Sequence, residues 1–389
     1  MNVEFWGVGA TAASAHPMTT SDVSSHLSVD WMPALPPTVG TSLMGWPPFL
    51  IESLPFQNYS VLTLRKDAGR AERQWKGFLS WMLGVAGTRH ILKAENYRWI
   101  APLSAFYPEA VQPVDLTKWH PSFPPTSVKA TRQIGNPSRL RPDYVALRST
   151  TRRVQGQRYD WAVAESKGTH IYLGGDKSCP ASWSSQARNV VISVDDSEID
   201  IPRYLVIATR VNPNAKRDQT RRIQIRAWNS RNESPHIDLP KEATVDIVAA
   251  HLFGLFGSLG LREAARAVAL SSQRRAERLH MVDAHATTYA PDIVLEHAER
   301  ELAQRNRVDI ETAVGPIKIE IGKPLVNLAK GLWRAADSSD AATALEKADI
   351  QLDKWEASRR GRPRRHTDVA LPFGVEVNLP HDFDRRGER

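Results

Sequence analysis

The chain is poor in cysteine and has no long apolar run. Cys179 is the single cysteine among 389 residues, which excludes an intrachain disulfide and a cysteine-based zinc cluster. No apolar stretch is long enough for a transmembrane helix, and residues 1–7 lack the basic and then apolar pattern of a signal peptide. We therefore expect a cytoplasmic protein that makes no contact with a membrane.

The signatures of several enzyme classes are also missing. The chain contains no phosphate-binding loop of the NTPase type, no dinucleotide-binding glycine fingerprint and no internal repeat. Neither a motor ATPase nor a nucleotide-dependent dehydrogenase is therefore predicted. With 41% hydrophobic and 24% charged residues, the composition is that of a globular protein, and the length predicts two domains.

Basic residues are concentrated in one segment of the chain. The formal net charge is +8, and residues 129–158 include eight Lys or Arg residues against one acidic residue, Asp143. A polyanion would find phosphate-binding side chains here, and such binding is salt-sensitive. The arginines that we expect to bind nucleic acid in this segment are Arg139, Arg141, Arg148, Arg152 and Arg153. A solvated basic loop is the alternative explanation.

Two runs rich in β-forming residues flank the polar part of this segment. They are residues 141–147 (RPDYVAL) and residues 161–167 (WAVAESK). Side chains two apart on a strand share a face, so Glu165 and Lys167 point the same way. The two runs are therefore expected to form a β-hairpin with charged side chains at its open end.

The register of this hairpin follows from its sequence. Pairing Asp143 with Glu165 also pairs Val145 with Val163, because opposite residue numbers in an antiparallel pair have a constant sum. The midpoint is Val154, inside a polar, glycine-containing segment where a hairpin loop is expected. One face of the hairpin then carries apolar side chains followed by two carboxylates.

Two carboxylates on one face predict a cation site. They repel each other unless a cation lies between them, and oxygen ligands suit Mg²⁺ or Mn²⁺. Lys167 would then lie beside the metal. The alternative is a surface hairpin with a cross-strand pair between the glutamate and the lysine.

These residues resemble the signature of the PD-(D/E)xK superfamily, the restriction-endonuclease-like nucleases. The family pattern is Pro-Asp on one strand and an acid, any residue and Lys on the next. It appears here as Pro142-Asp143 and Glu165-Ser166-Lys167. The resemblance covers about residues 67–230 and implies a restriction-endonuclease-like core, which is an α/β fold with a mixed central sheet flanked by helices.

The resemblance also implies roles for individual residues. Asp143, Glu165 and the backbone carbonyl of Ser166 would bind Mg²⁺, for which Mn²⁺ would substitute, and Lys167 would orient the attacking water. Members often add an acid from a preceding helix and a polar residue from the following helix. The matching residues here are Glu72 and Gln186.

Further elements agree with this fold. Residues 68–83 have a helical apolar stripe, residues 180–189 begin with proline like a helix, residues 203–209 form a continuous β-rich run, and residues 222–228 alternate like an edge strand. The hairpin and these elements give the order β, β, α, β, β.

The expected domain organisation follows composition. Residues 1–60 are predicted to be an irregular N-terminal arm and residues 61–235 the nuclease-like domain. Residues 241–360 are predicted to be a mainly helical domain that docks DNA, a protein partner or a second copy of the chain. Residues 361–389 are predicted to be a basic tail.

A second basic cluster lies at the end of the helical part. Residues 359–365 (RRGRPRR) resemble an AT-hook, in which arginines enter the narrow minor groove of A·T-rich DNA. Arg360 and Arg362 would make these contacts. A flexible basic tail is the alternative.

The sequence thus predicts a Mg²⁺-dependent DNA endonuclease that hydrolyses phosphodiester bonds. A restriction, transposition or phage-defence assembly is the setting that the resemblance suggests. The alternative is a catalytically inactive subunit that keeps the nuclease fold and binds DNA or assembles with a protein partner.

Overall fold

Parts of all four predicted segments are described by the structure, which is a computed structural model. It describes residues 3–7, 22–23, 26, 73–108, 123–124, 126–136, 138, 140–149, 159–169, 178–210, 223–231, 239–280, 291–310, 316–360, 368–371 and 373–378.

A mixed six-stranded sheet carries the predicted hairpin. Its strands are β1 (Val3–Gly7), β2 (Trp99–Pro102), β4 (Tyr144–Ser149), β5 (Tyr159–Thr169), β8 (Arg203–Arg210) and β9 (Gln224–Arg231). Their order is β1-β9-β8-β5-β4-β2. β5 and β8 are parallel, β1 and β9 are parallel, and the other neighbours are antiparallel. The described part of the chain is therefore an α/β protein with a mixed sheet flanked by helices.

Two smaller antiparallel sheets complete the β-structure of the described residues. One has the order β3-β6-β7 and the other the order β10-β11-β13-β12. Their strands are β3 (Val128–Thr131), β6 (Val191–Val194), β7 (Ser197–Ile199), β10 (Arg307–Ile310), β11 (Ile317–Ile321), β12 (Asp368–Leu371) and β13 (Val375–Asn378).

Seven α-helices are found in the described residues. They are α1 (Arg73–Ala94), α2 (Ala181–Ala187), α3 (Lys241–Ser258), α4 (Arg262–His280), α5 (Pro291–Gln304), α6 (Lys323–Arg334) and α7 (Ser338–Arg360). The helices α1 and α2 overlap the predicted helical segments 68–83 and 180–189, and the other five lie within residues 241–360, which are predicted to be mainly helical. Helix α1 continues to Ala94 rather than ending near residue 83.

The predicted hairpin register is confirmed. β4 and β5 pair Val145 with Val163 and Leu147 with Trp161. These pairs have the residue-number sum expected from an Asp143 to Glu165 pairing. The regular ladder begins at Tyr144, so Asp143 lies just before the strand.

Helix α1 covers the face of β5 that is opposite to Glu165 and Lys167. Its residues Leu79, Met82 and Leu83 are buried at the spacing of one helical stripe. The backbone of the helix lies so close to the strand that a Cβ on Gly168 would be 2.0 Å from the carbonyl oxygen of Ser80. Glycine is needed at this position because no side chain fits between helix and strand.

The helical half packs directly on the central sheet. Helix α3 contacts β2 and β4, and α7 contacts α3. A buried polar cluster reaches across the same junction: Arg98 donates to Asp349 (Nη1 to Oδ1, 2.9 Å) and to Asp353, and Tyr159 donates to Asp349. One hydrophobic core includes residues of both halves.

Three sequence expectations differ from the structure. β9 is not an edge strand, because β1 pairs with its other side. β1 belongs to the segment predicted to be irregular, so part of that segment is ordered in the sheet. Residues 361–389, predicted to be a basic tail, include β12 and β13, which pair with each other and, through β13, with β11.

No helix within the described ranges is long and apolar enough to cross a lipid bilayer.

Candidate active site

The predicted site residues meet where β4 begins and β5 continues beyond it. The ladder between the two strands starts at Tyr144 and Ala164, so β5 extends past its β4 partner from Glu165 onward. The N–H of Asp143 donates to the carbonyl oxygen of Ala164 (3.2 Å). The N–H of Ser166 donates to Oδ2 of Asp143 (2.8 Å). A carboxylate thus occupies the place where the next strand residue would otherwise pair.

Glu165 is the most buried member of this site. Only 1% of the residue is exposed, and Oε1 contacts Nζ of Lys167 at 2.5 Å. Oε2 is buried and has no hydrogen-bond partner. Loss of hydration is the largest cause that raises the pKa of Glu165, followed by the charge of Asp143, and the opposing effect of Lys167 leaves the pKa at about 8.

Asp143 lies at the solvent side of the same site. The residue is exposed, so solutes can reach it. Its pKa is nevertheless raised, because the surrounding protein removes part of the hydration of its carboxyl group, while the Ser166 N–H and Lys167 act in the opposite direction. The charge of Asp143 in turn raises the pKa of Glu165.

Gln186 connects the lysine to the rest of the site. Its Oε1 accepts a hydrogen bond from Nζ of Lys167 (2.5 Å), and its Nε2 donates to the carbonyl oxygen of Arg141 (3.2 Å). Lys167 therefore bridges Glu165 on its own strand and Gln186 on α2. Of the two residues that the resemblance assigns from helices, Gln186 is brought to the site, and Glu72 lies outside the described residues.

Tyr107 is a neighbour of the site that sequence reasoning missed. The guanidinium carbon of Arg141 lies 3.3 Å from the centre of its ring, and its hydroxyl donates to the carbonyl oxygen of Pro142 (3.2 Å). Tyr107 follows a 3₁₀ turn at Leu103–Phe106, far from the motif in sequence. No signal in the sequence connects it to Arg141, because the contact depends on the pairing of β2 with β4.

The arginines that were predicted to bind nucleic acid lie in different parts of the structure. Arg141 lies beside Asp143 in sequence and is half-buried. Arg148 lies at the opposite end of β4, and its Nε donates to Oδ2 of Asp160 (2.8 Å). That pairing holds its guanidinium within the hairpin and away from the candidate site. Arg360 ends α7. The predicted residues that lie outside the described ranges are Arg139, Arg152, Arg153 and Arg362.

The oxygen atoms present are suited to a hard divalent cation. The buried Oε2 of Glu165 lacks a partner, and a second carboxyl group lies beside it. Among the described residues, no group of three or more His, Cys, Asp or Glu side chains is placed to hold a metal. Two carboxylates and a backbone carbonyl are enough for Mg²⁺, which keeps several water ligands in most protein sites.

Comparison of the chain with protein-family models, with curated proteins and with solved structures finds no match.

Proposed function

We propose that the protein is a divalent-metal-dependent nuclease that hydrolyses phosphodiester bonds in DNA. The observation that carries this proposal is the meeting of Asp143, Glu165 and Lys167 at one strand end. A buried carboxylate next to a second acid destabilises a fold, and β5 could keep the same sheet contacts with an uncharged side chain in place of Glu165. The arrangement is therefore better explained by chemistry than by packing.

The metal would be held by oxygen atoms of three residues at the open end of the hairpin. Asp143, Glu165 and the Ser166 carbonyl would bind Mg²⁺ or Mn²⁺, which would polarise the scissile phosphate and lower the pKa of a bound water. A strand residue directs its N–H and its C=O toward the same neighbour. Because the Ser166 N–H points to Asp143, its carbonyl is expected on the Asp143 side as well.

Lys167 would supply the positive charge of the reaction centre. Its ammonium group can donate to the attacking water or to a phosphate oxygen whose negative charge grows in the transition state. Water attacks phosphorus and the bond to the 3′ oxygen breaks, which leaves a 5′-phosphate and a 3′-hydroxyl. Gln186 orients Lys167 by accepting one of its three N–H bonds.

Basic side chains near the site favour nucleic acid as the substrate. Arg132 is exposed and Arg141 is held against Tyr107 beside the site. No acidic residue occurs between Asp115 and Asp143. This part of the sequence is therefore basic, which favours binding of a polyanion.

We also propose that the central sheet with α1 and α2 is a restriction-endonuclease-like core. The support is the order α1, β2, β4, β5, α2, β8, β9 of these two helices and the strands of the central sheet that follow α1, together with the location of the candidate site at the β4–β5 end. An experimental structure in which β5 and β8 were antiparallel would contradict this proposal.

One observation favours the alternative of a subunit that binds DNA without cutting it. Lys167 already contacts Glu165 directly, so part of the negative charge of the pair is neutralised without a metal. A non-cutting subunit would bind DNA in a salt-sensitive manner and would leave it intact. A subunit that cuts only with a partner would show activity after the partner is added.

A cleavage assay with matched variants tests the proposal. We expect the purified protein to cut DNA in Mg²⁺ or Mn²⁺ and not in a chelator. Asp143→Asn and Lys167→Ala should each reduce the rate by about 10²-fold or more, because both groups act on the reacting atoms. Lys347→Ala, which removes an exposed lysine on α7, should leave the rate unchanged.

Circular dichroism and thermal unfolding should show that all three variants fold. If Lys167→Ala cuts DNA as fast as the unsubstituted protein, the site assignment is wrong. If the unsubstituted protein binds DNA and cuts no nucleic acid in either metal, the non-cutting alternative is supported instead.

A further inference from the structure

The side chain of an isoleucine in the segment between β3 and β4 is fully exposed to solvent. Ile134 is 100% exposed, more than any other large hydrophobic residue in the described part of the chain. Leu140, at the end of the same segment, is 62% exposed. Single exposed apolar residues are common on protein surfaces, so exposure alone carries no meaning. The setting of Ile134 is what distinguishes it.

Ile134 lies at the tip of a well-defined turn. The N–H of Asn136 donates to the carbonyl oxygen of Gln133 (3.3 Å), and Gly135 has a φ of +79°. A positive φ at the third position is the signature of a type II turn, which glycine adopts without strain. Ile134 therefore occupies the second position, from which its side chain projects away from the turn.

The base of this turn and the residues after it are bound to α2 and to Asn189, two residues beyond the end of α2. Nδ2 of Asn136 donates to the carbonyl oxygen of Ser185 (3.0 Å), and Oγ of Ser185 donates back to Oδ1 of Asn136 (2.8 Å). Nδ2 of Asn189 donates to the carbonyl oxygens of Ser138 and Leu140, each at 2.8 Å. The segment is thus fixed by side-chain hydrogen bonds at three of its residues.

The same helix holds the candidate site. Gln186, which follows Ser185 on α2, binds Lys167 and the carbonyl oxygen of Arg141. Ile134 and Lys167 are therefore fixed relative to one another through a single short helix. The turn and the candidate site are thus attached to consecutive residues of α2.

Basic side chains near the turn favour a polyanion as its ligand. Arg132, two residues before Ile134, is exposed, and Arg141 lies against the ring of Tyr107, whereas Lys129 is paired with Asp196. An apolar side chain among cations suits a double-stranded nucleic acid, in which apolar base steps lie between two rows of phosphates. Proteins that bend DNA insert Ile, Leu, Met or Phe between base pairs in this way and pay for the unstacking with added contacts.

We infer that the turn formed by Gln133–Asn136 inserts Ile134 between stacked base pairs of double-stranded DNA next to the candidate site. The inserted side chain unstacks one base step and kinks the duplex there, which brings the phosphate backbone toward Lys167. This inference rests on the proposed nuclease function and names intact duplex DNA as the substrate.

Variants of Ile134 test the wedge with matched DNA substrates. One duplex is fully paired, and the other has the same sequence with a mismatched pair at the cut position, which is already partly unstacked. Ile134→Ser should cut the paired duplex about tenfold more slowly or worse, since unstacking is worth a few kcal/mol, and should cut the mismatched duplex at the original rate. Ile134→Met keeps an apolar side chain of similar volume and should restore cutting of the paired duplex.

Ile350→Ser is the matched control. Ile350 is 54% exposed on α7, next to Asp349, which contacts Tyr159 at the end of β5 opposite to the site. Its replacement should leave both rates unchanged. If Ile134→Ser cuts the paired duplex as fast as the unsubstituted protein does, the wedge is refuted and the nuclease proposal stands.

A binding measurement separates the wedge from catalysis. Duplex DNA with 2-aminopurine at successive positions becomes fluorescent where a base is unstacked. Protein with Lys167→Ala should raise the fluorescence at one step, and the additional change Ile134→Ser should abolish the rise without abolishing binding. If Lys167→Ala gives this signal but the unsubstituted protein cuts no duplex in Mg²⁺ or Mn²⁺, the nuclease is refuted and the wedge is supported. Binding without a fluorescence rise refutes the wedge.

Discussion

Replacing Glu165 by glutamine should stabilise the metal-free protein at neutral and alkaline pH. Burial and the charge of Asp143 raise the pKa of Glu165 from 4.5 to about 8. Each unit of such a difference between folded and unfolded states is worth about 1.4 kcal/mol, so the ionised side chain costs the fold up to about 5 kcal/mol. Glutamine has nearly the same shape and still accepts a hydrogen bond from Lys167, but it carries no charge.

The sign of the effect follows from proton linkage. The folded protein holds the Glu165 proton more tightly than the unfolded chain does, so ionisation favours unfolding. The free energy of unfolding contributed by this group is largest below pH 4.5 and is lost as the pH rises through about 8. Asp143 titrates in the same direction, so the informative quantity is the difference between the variant and the unsubstituted protein.

Urea denaturation in a chelator, at a series of pH values between 5 and 9, measures this difference. The variant should gain stability relative to the unsubstituted protein as the pH rises, and added Mg²⁺ should stabilise the unsubstituted protein more than the variant. If the difference does not change with pH, or if the variant is less stable at pH 9, the reasoning about a strained, buried carboxylate is refuted.

Two further changes should lower stability for separate reasons. Gly168→Ala would place a Cβ 2.0 Å from the carbonyl oxygen of Ser80 and should lower the free energy of unfolding by about 1–3 kcal/mol or more, because the backbone must move. Gly77→Ala is the control, since its Cβ would meet nothing within 4 Å. In the same urea titration this variant should be as stable as the unsubstituted protein or more stable. Arg98→Met would leave the fully buried Asp349 without its cationic partner and should lower the free energy of unfolding by about 3–5 kcal/mol. Thermal unfolding should therefore have a lower midpoint. An unchanged midpoint would show that the buried pair contributes nothing to stability.

Local pattern was sufficient to predict most of the elements. The helices α3 to α7 all lie within residues 241–360, the part that the sequence predicts to be mainly helical. The pairing of β4 with β5 was predictable because the period of a strand is two residues, so a shift by one would turn Val145 and Val163 away from the core. Strand pairing between segments distant in sequence was not predictable in this way. The pairing of β1 with β9 joins residues more than two hundred positions apart, and nothing in either segment specifies the other.

The residues of the candidate site likewise differ in whether a local pattern could place them. Asp143, Glu165 and Lys167 could be placed together because they belong to one hairpin. Gln186 could be named only through a resemblance, since its contact with Lys167 depends on where the connection after β5 returns α2 to the sheet. Arg148 was grouped with the phosphate-binding arginines because it is basic and close in sequence. Arg148 lies at the end of β4 opposite to the candidate site and pairs there with Asp160, so closeness in sequence did not place it at the site.

Two carboxylates and a lysine could be assigned to the open end of one hairpin without a structure, because alternation and antiparallel pairing are local rules of the backbone. The hydration of these groups and the contacts that hold them depend on the packing of the whole fold. Burial under the surrounding elements leaves Glu165 with an oxygen that has no partner, and α2 fixes both Lys167 and the turn that exposes Ile134. Hydration and long-range contacts depend on every element that packs nearby, and no short stretch of sequence contains that information.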